Sequence, residues 1–199
     1  MTAVRVAVLV SGTGSILEAM LADRVPVVLV LADRPCRAVE IATAAGIDAE
    51  VVDRRSFGGY GAAFDRLAFT RRVTEVLEAH GIDLVAMAGF GTVLDAPVHE
   101  AFPDRILNTH PALLPAFPGW HAVEEALAAG AVVTGCTVHL ATVEVDAGRT
   151  LAQQEVPVLP GDTVETLHER IKQSERQLYP RVVKDYIASL TRAQRSALP

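Results

Sequence analysis

Val4-Arg5-Val6-Ala7-Val8-Leu9-Val10, then Ser11-Gly12-Thr13-Gly14-Ser15, then Ile16 to Ala22 is the stretch that decides the fold. The valine-rich run predicts a strand, the glycines end it, and the apolar spacing from Ile16 onward predicts a helix. The unit recurs: Val27 to Ala32 precedes Ala38 to Ala45, Glu50 to Val52 precedes Ala62 to Ala79, and Leu84 to Ala88 follows. Strands that are apolar throughout and separated by helices imply a parallel sheet buried on both faces. Gly46 and Gly81 stand where helix C-caps fall, and Ser56 to Gly61, with its three glycines, predicts a flexible surface loop. Beyond a polar segment after Ile106-Leu107, Ala122 to Ala129 reads as a helix, and Val132 to Leu140 and Leu151 to Val158 read as strands. Thr163 to Leu190 predicts a long C-terminal helix with a bend at Pro180. The expected class is α/β, a Rossmann-like, mostly parallel twisted sheet flanked by helices.

Length and charge set the surroundings of this fold. A chain of 199 residues, half of them hydrophobic, fits a single domain over 1–199 with a sizeable core. Its 18 basic and 24 acidic residues give a net charge of -6, which opposes non-specific binding to nucleic acid or to anionic membrane surfaces. Small-molecule partners are therefore expected. The longest apolar run, Val25 to Ala32, is too short to span a bilayer, and Met1-Thr2-Ala3-Val4-Arg5 leads into a strand rather than a signal peptide. A cytoplasmic location is the expectation. Cys36 and Cys136 have neither metal-ligand spacing nor the density of a disulfide framework, so no metal and no thiol chemistry is expected.

Two segments carry chemistry. A loop of Gly12, Thr13, Gly14 and Ser15 between the first strand and the first helix offers exposed amides and a helix dipole to an anion, with phosphate the natural guest. Leu17 fills the third glycine position of the dinucleotide fingerprint and no Walker lysine follows, so alone the loop reads equally as a tight turn. Its place at the carboxyl edge of the sheet favours binding. The second segment is Asn108-Thr109-His110-Pro111-Ala112-Leu113-Leu114-Pro115. In an extended chain Asn108 and His110 share a side, where the amide can hold an oxyanion and the imidazole can donate to it or shuttle a proton. An isolated histidine is more often a packing residue, but the flanking prolines restrict the backbone as a pre-organised site requires. Asp146, in Val145-Asp146-Ala147-Gly148, has the setting of a turn former; beside Asn108 and His110 it could instead set the imidazole's protonation or orient a water. His139 is expected to pack beneath the site, whereas His80, His99, His121 and His168 have no comparable context.

With the Ser-Gly-x-Gly-Ser loop, Ala88-Gly89-Phe90, Asn-x-His-Pro-x-Leu-Leu-Pro, Phe117-Pro118-Gly119, Gly135-Cys136-Thr137-Val138-His139 and Asp-x-Gly, the chain resembles the folate-dependent formyltransferases, in particular the phosphoribosylglycinamide formyltransferase family. The resemblance covers about nine-tenths of the chain. It implies a formyltransferase fold with a phosphate-binding half over about 1–100 and a catalytic and folate-binding half over about 101–190. It also implies formyl transfer from 10-formyltetrahydrofolate, as co-substrate and without a metal, to the amine of glycinamide ribonucleotide in purine biosynthesis, by a monomer or homodimer. Position by position, Asn108, His110 and Asp146 match the catalytic trio, and Gly12, Thr13, Gly14, Ser15 and Ile16 the phosphate loop. Glu175 matches the acid that contacts the ribonucleotide. Gly91, Thr92, Val93 and Leu94, with Asn108, Leu140, Val143 and Asp146, match the folate pocket.

The chain also departs from the family pattern. Ile16 replaces the usual asparagine, Gly91-Thr92-Val93-Leu94 replaces Met-Arg/Lys-Ile-Leu, and Arg149 replaces a proline. The loop Phe57 to Ala62 lacks the arginine expected to meet the folate's glutamate tail. These changes cluster in ligand contacts and spare the trio. They leave open a divergent formyltransferase acting on another small amine. A formyltetrahydrofolate hydrolase and a non-catalytic folate- or phosphate-binding homologue are the remaining readings.

Overall fold

A computed structural model describes residues 3–196; Met1 and Thr2, part of the N-terminal segment read above, and residues 197–199 lie outside it. The strands are β1 (Val6–Val10), β2 (Val27–Ala32), β3 (Asp48–Val51), β4 (Leu84–Met87), β5 (Ile106–His110), β6 (Val133–Leu140) and β7 (Thr150–Pro157). The α-helices are α1 (Ser15–Ala22), α2 (Arg37–Ala44), α3 (Arg66–Ala79), α4 (Ala96–Ala101), α5 (Ala122–Ala128) and α6 (Val164–Ser196). One seven-stranded sheet runs in the order β3-β2-β1-β4-β5-β6-β7. Pairing is parallel from β3 through β5 and antiparallel for β5 with β6 and β6 with β7.

The valine run divides by the two-residue period of a strand. Val6, Val8 and Val10 join a core with Leu17 and Met20 of α1 and Ile171 and Tyr179 of α6, while Ala7 and Leu9 join one with Phe69, Val73 and Leu77 of α3. All five β1 residues are buried, as a central parallel strand demands. Each such side chain contributes about 1.5–3 kcal/mol on burial. Tyr179, fully buried, donates its hydroxyl to the Leu107 carbonyl at 2.8 Å and thereby ties α6 to β5.

Three expectations change. The helix foreseen from Ala62 begins at Arg66, because the Asp65 side chain accepts from the Ala68 N–H and caps it there. Before it, Arg54–Phe57 forms a short 3-10 helix capped by Asp53, and Gly58 follows at φ 93°, where an added Cβ would meet the Ala63 carbonyl oxygen. The six-residue α4, with a proline in its first turn, is an element the sequence reading does not include. The long C-terminal helix continues through Pro180.

Order reverses at β1 and β4: the chain moves outward from β1 to β3, then crosses back to β4 on the other side. A crevice at the carboxyl ends of those strands is the expected ligand position in such a sheet.

Candidate active site

A cavity of about 720 Å³ lies there, a size that suits a small-molecule site. Gly12, Thr13, Gly14, Ser15 and Ile16 form one part of its wall, and Gly91, Thr92, Val93 and Leu94 another; Asn108, His110, Asp146 and Glu175 also line it. Leu140 and Val143 do not: Leu140 is buried behind the wall and Val143 is exposed on the β6–β7 loop, whose Ala141, Thr142 and Val145 face the cavity instead.

The glycine loop is fixed by packing. Gly14 precedes α1 at φ 77°, and an added Cβ would come within 2.8 Å of Ile41 and 3.0 Å of Ala38 on α2. Only glycine fits that conformation and that space. Glu18 N–H bonds the Gly14 carbonyl at 2.9 Å, so the first amides of α1, from Ser15 to Leu17, have no acceptor inside the helix. The Ile16 side chain is buried in the core, leaving its backbone amide to face an anion.

Asn108 and His110 come from β5 and Asp146 from the β6–β7 loop, where it holds the left-handed conformation at φ 56°. His110 is buried with both ring nitrogens facing acceptors: Nε2 is 2.7 Å from the Phe117 carbonyl and Nδ1 is 3.3 Å from Asp146 Oδ2. The Gly119 N–H donates to Asp146 Oδ2 at 2.8 Å. His139 lies beneath, as expected, with Nδ1 2.9 Å from the Leu140 carbonyl, Nε2 3.3 Å from Asn108 Nδ2 and 3.5 Å from Asp146 Oδ1. A carbonyl can only accept, so His139 Nδ1 carries a hydrogen, and its Nε2 faces both the Asn108 amide and the Asp146 carboxylate. Burial raises the Asp146 pKa, but the His139 hydrogen bond, the Gly119 N–H and the His110 charge outweigh it, and the carboxyl sits below its usual range.

Glu175 behaves otherwise. It is buried on α6, accepts one hydrogen bond from Thr109 Oγ1 at 2.9 Å, and burial pushes its carboxyl up to about 7 against the pull of Thr109, Lys172 and Arg176.

Several lining residues escaped the sequence reading. His168 and Lys172 lie seven and three residues before the expected Glu175 and share its face of α6, a spacing by which they could be found. His99 and His168 both line the cavity, contrary to their dismissal above, and burial holds each below the usual imidazole value. Trp120 lines the rim while 77% exposed. The cations Arg54 and Arg66 reach the cavity from either side of the Phe57 to Ala62 loop, which itself contains no arginine, as the sequence reading says. Burial pushes the Cys136 thiol up to about 12, so it stays protonated. Among the described residues no group of three or more His, Cys, Asp or Glu is arranged to hold a metal ion, and no helix is long and apolar enough to cross a membrane.

Known proteins resemble this chain in sequence and fold. A family model described as formyl transferase matches residues 4–183. The chain is 49% identical over 179 residues to phosphoribosylglycinamide formyltransferase of Mycobacterium tuberculosis H37Rv, covering 87% of this chain and 80% of that protein. It is 32% identical over 197 residues to the protein of the same name from Bacillus subtilis 168, covering 96% and 98%. Its fold matches glycinamide ribonucleotide transformylase 1 from Symbiobacterium toebii with a TM-score of 0.86 and 41% identity, covering 94% of this chain and 89% of that one. The family model over most of the chain and these relatives agree, and the chain belongs to the formyl transferase family.

Proposed function

We infer that the protein transfers the formyl group of 10-formyltetrahydrofolate to the amine of glycinamide ribonucleotide, the activity named by its relatives. One observation carries the reading: the amide-rich start of α1, suited to a phosphate, and the Asn108, His110 and Asp146 cluster, suited to an oxyanion, line the same cavity. A two-substrate site needs both.

The folate supplies the formyl carbon and a nitrogen leaving group. Asn108 donates an amide hydrogen to the formyl oxygen as the acceptor amine attacks and negative charge develops there. His110 supplies a second hydrogen from Nε2. In this structure that hydrogen is spent on the Phe117 carbonyl, so in turnover the substrate oxygen must take it over. Asp146 stays ionised, orients the His110 ring through Nδ1 and, through a water, relays the proton lost by the amine to the departing nitrogen. No covalent enzyme intermediate is required. Glu175, Lys172 and His168 line the side of the cavity taken by the ribonucleotide.

The test is to incubate the protein with 10-formyltetrahydrofolate, with and without glycinamide ribonucleotide, and to identify products by mass spectrometry. Formylated ribonucleotide is expected, only when the acceptor is present. Deformylation without acceptor would replace the reading with a hydrolase, and no deformylation under either condition would refute it.

A further inference from the structure

Trp120 is the only tryptophan of the chain, lines the cavity and is 77% exposed. Among the described residues no ring stacks on its indole, no cation lies over its face, and its indole N–H has no hydrogen-bond partner. Its position is nevertheless defined at both ends. The residue before it, Gly119, donates its N–H to Asp146 Oδ2 at 2.8 Å. At the far end the ring tip, Cη2, lies 3.5 Å from the point that a Cβ on Gly91 would occupy, a point that is also 3.3 Å from Ser11 Oγ and 3.1 Å from Arg34 Nη2. An indole left bare at the mouth of a cavity offers a large apolar face and one donor to what enters.

Gly91 makes room for that ring. Its φ is not positive, so the backbone does not require glycine there; what the missing side chain leaves open is space, and the tip of Trp120 borders it. A side chain of several carbons at position 91 would compete with the indole. The Gly91 N–H donates to Ser11 Oγ, which ties this residue to the strand end where the glycine loop starts. Trp120 therefore runs from Asp146, in the catalytic cluster, to Ser11, at the head of the loop suited to a phosphate.

The acceptor of the proposed reaction spans the same interval. With its phosphate at the start of α1 and its amine at Asn108, His110 and Asp146, its sugar lies between the two, along the path that the indole follows. The C–H face of a sugar packs on an indole, and its hydroxyls accept from the indole N–H. The folate has to reach the catalytic cluster but not Ser11. We propose, resting on the functional reading above, that Trp120 is a binding residue for the acceptor, its indole covering the sugar of the ribonucleotide in the space that Gly91 leaves open.

Because the chain has a single tryptophan, its emission reports the contact directly, and the acceptor has no aromatic ring to obscure it. Glycinamide ribonucleotide and inorganic phosphate are each titrated into the wild type while emission is followed. Calorimetry then gives the affinities of the ribonucleotide and of tetrahydrofolate for the wild type, Trp120→Ala and Trp120→Phe. The ribonucleotide is expected to move the emission to shorter wavelength as the indole loses water, and phosphate, which fills only the start of α1, to leave it in place. Trp120→Ala should weaken ribonucleotide binding about tenfold or more and tetrahydrofolate binding about twofold or less, with most of the loss restored in Trp120→Phe. Gly91→Leu, which fills the space at the ring tip, should shrink the emission shift. Unchanged emission at a ribonucleotide concentration that saturates by calorimetry overturns the assignment and leaves the functional reading standing. So does an equal shift with phosphate, an equal loss for both ligands in Trp120→Ala, the mark of a purely structural role, or a loss confined to tetrahydrofolate. A wild type that binds no ribonucleotide removes the functional reading and this inference with it.

Discussion

Asp146 and Glu175 line one cavity and titrate in opposite directions. The Asp146 side chain is 6% exposed and Glu175 is 5% exposed, so desolvation penalises both charges. Asp146 sits in a loop that turns it toward the Gly119 N–H and two imidazoles, and its pKa falls. Glu175 sits on a helix face with the Thr109 hydroxyl and two partly distant cations, and its pKa rises to about 7. Burial raises both carboxyls; the donors around Asp146 outweigh it, and those around the more deeply buried Glu175 do not. The loop thus holds a permanent anion, suited to orienting His110, while the helix holds a carboxyl that exchanges its proton near neutrality.

The largest expected effect tests this division of labour. Asp146→Asn keeps the shape of the side chain and removes the anion, and His110→Ala removes the ring it orients; each should lower kcat by about 10²- to 10⁴-fold with the fold intact. Glu175→Gln should act mainly on KM for the ribonucleotide, because Glu175 touches the reacting residues only through Thr109. Steady-state kinetics on the three variants checks this. An equal fall in kcat for Glu175→Gln, with KM unchanged, would break the comparison by making Glu175 part of the proton path.

What could be read in the sequence follows the same line between local and distant effects. The Val4 to Val10 run and the alternation that puts Asn108 and His110 on one side of β5 are local patterns, and both survive in the structure. Arg54, Arg66 and His99 belong to three separate elements that no periodicity links, so only the fold brings them to one cavity. The start of α3 was misread because Ala62 and Ala63 favour a helix on their own, while the Asp65 cap that ends the competition lies three residues further on. α4 is too short to show a period. The pKa contrast was illegible because Gly119 and His139, which lower Asp146, are 27 and 7 residues away from it in the chain.

Stability measurements against pH sharpen the contrast at an intermediate scale. Glu175 is raised in the folded state from 4.5 to about 7, so the native protein holds its proton where the unfolded chain has lost it. Its contribution is therefore full below pH 4.5 and is lost as pH rises toward 7, a swing of about 3 kcal/mol. Asp146 is lowered, so its contribution has the opposite sign: present above the usual carboxylate range and lost as pH falls through the native value. Denaturant unfolding of Glu175→Gln should show little change from wild type at pH 4 and a gain of up to about 3 kcal/mol at pH 8. For Asp146→Asn the deficit relative to wild type should shrink on acidification instead. Curves of the same sign for the two variants would show that burial, and not the donor set, governs both groups.

The smallest expected effect isolates the one donor that Glu175 has. The Thr109 hydroxyl holds the carboxyl down against burial, and Thr109→Val removes it with little change of shape and a residue that favours a strand. The native midpoint of Glu175 should move further above 7, read from the carboxyl signal in a ¹³C NMR titration, and stability should fall by about 1 kcal/mol. His110, whose partners Phe117 and Asp146 are untouched, should keep its ring signals. A midpoint that stays in place would mean that Lys172 and Arg176 set the balance, since they also lower it. A midpoint that falls would mean that loss of the hydroxyl opens the carboxyl to water, and the contrast with Asp146 would then rest on solvent access alone. Only the upward movement makes Thr109 to Glu175 what Gly119 and His139 are to Asp146: the donor that offsets burial, there alone and too weak to win.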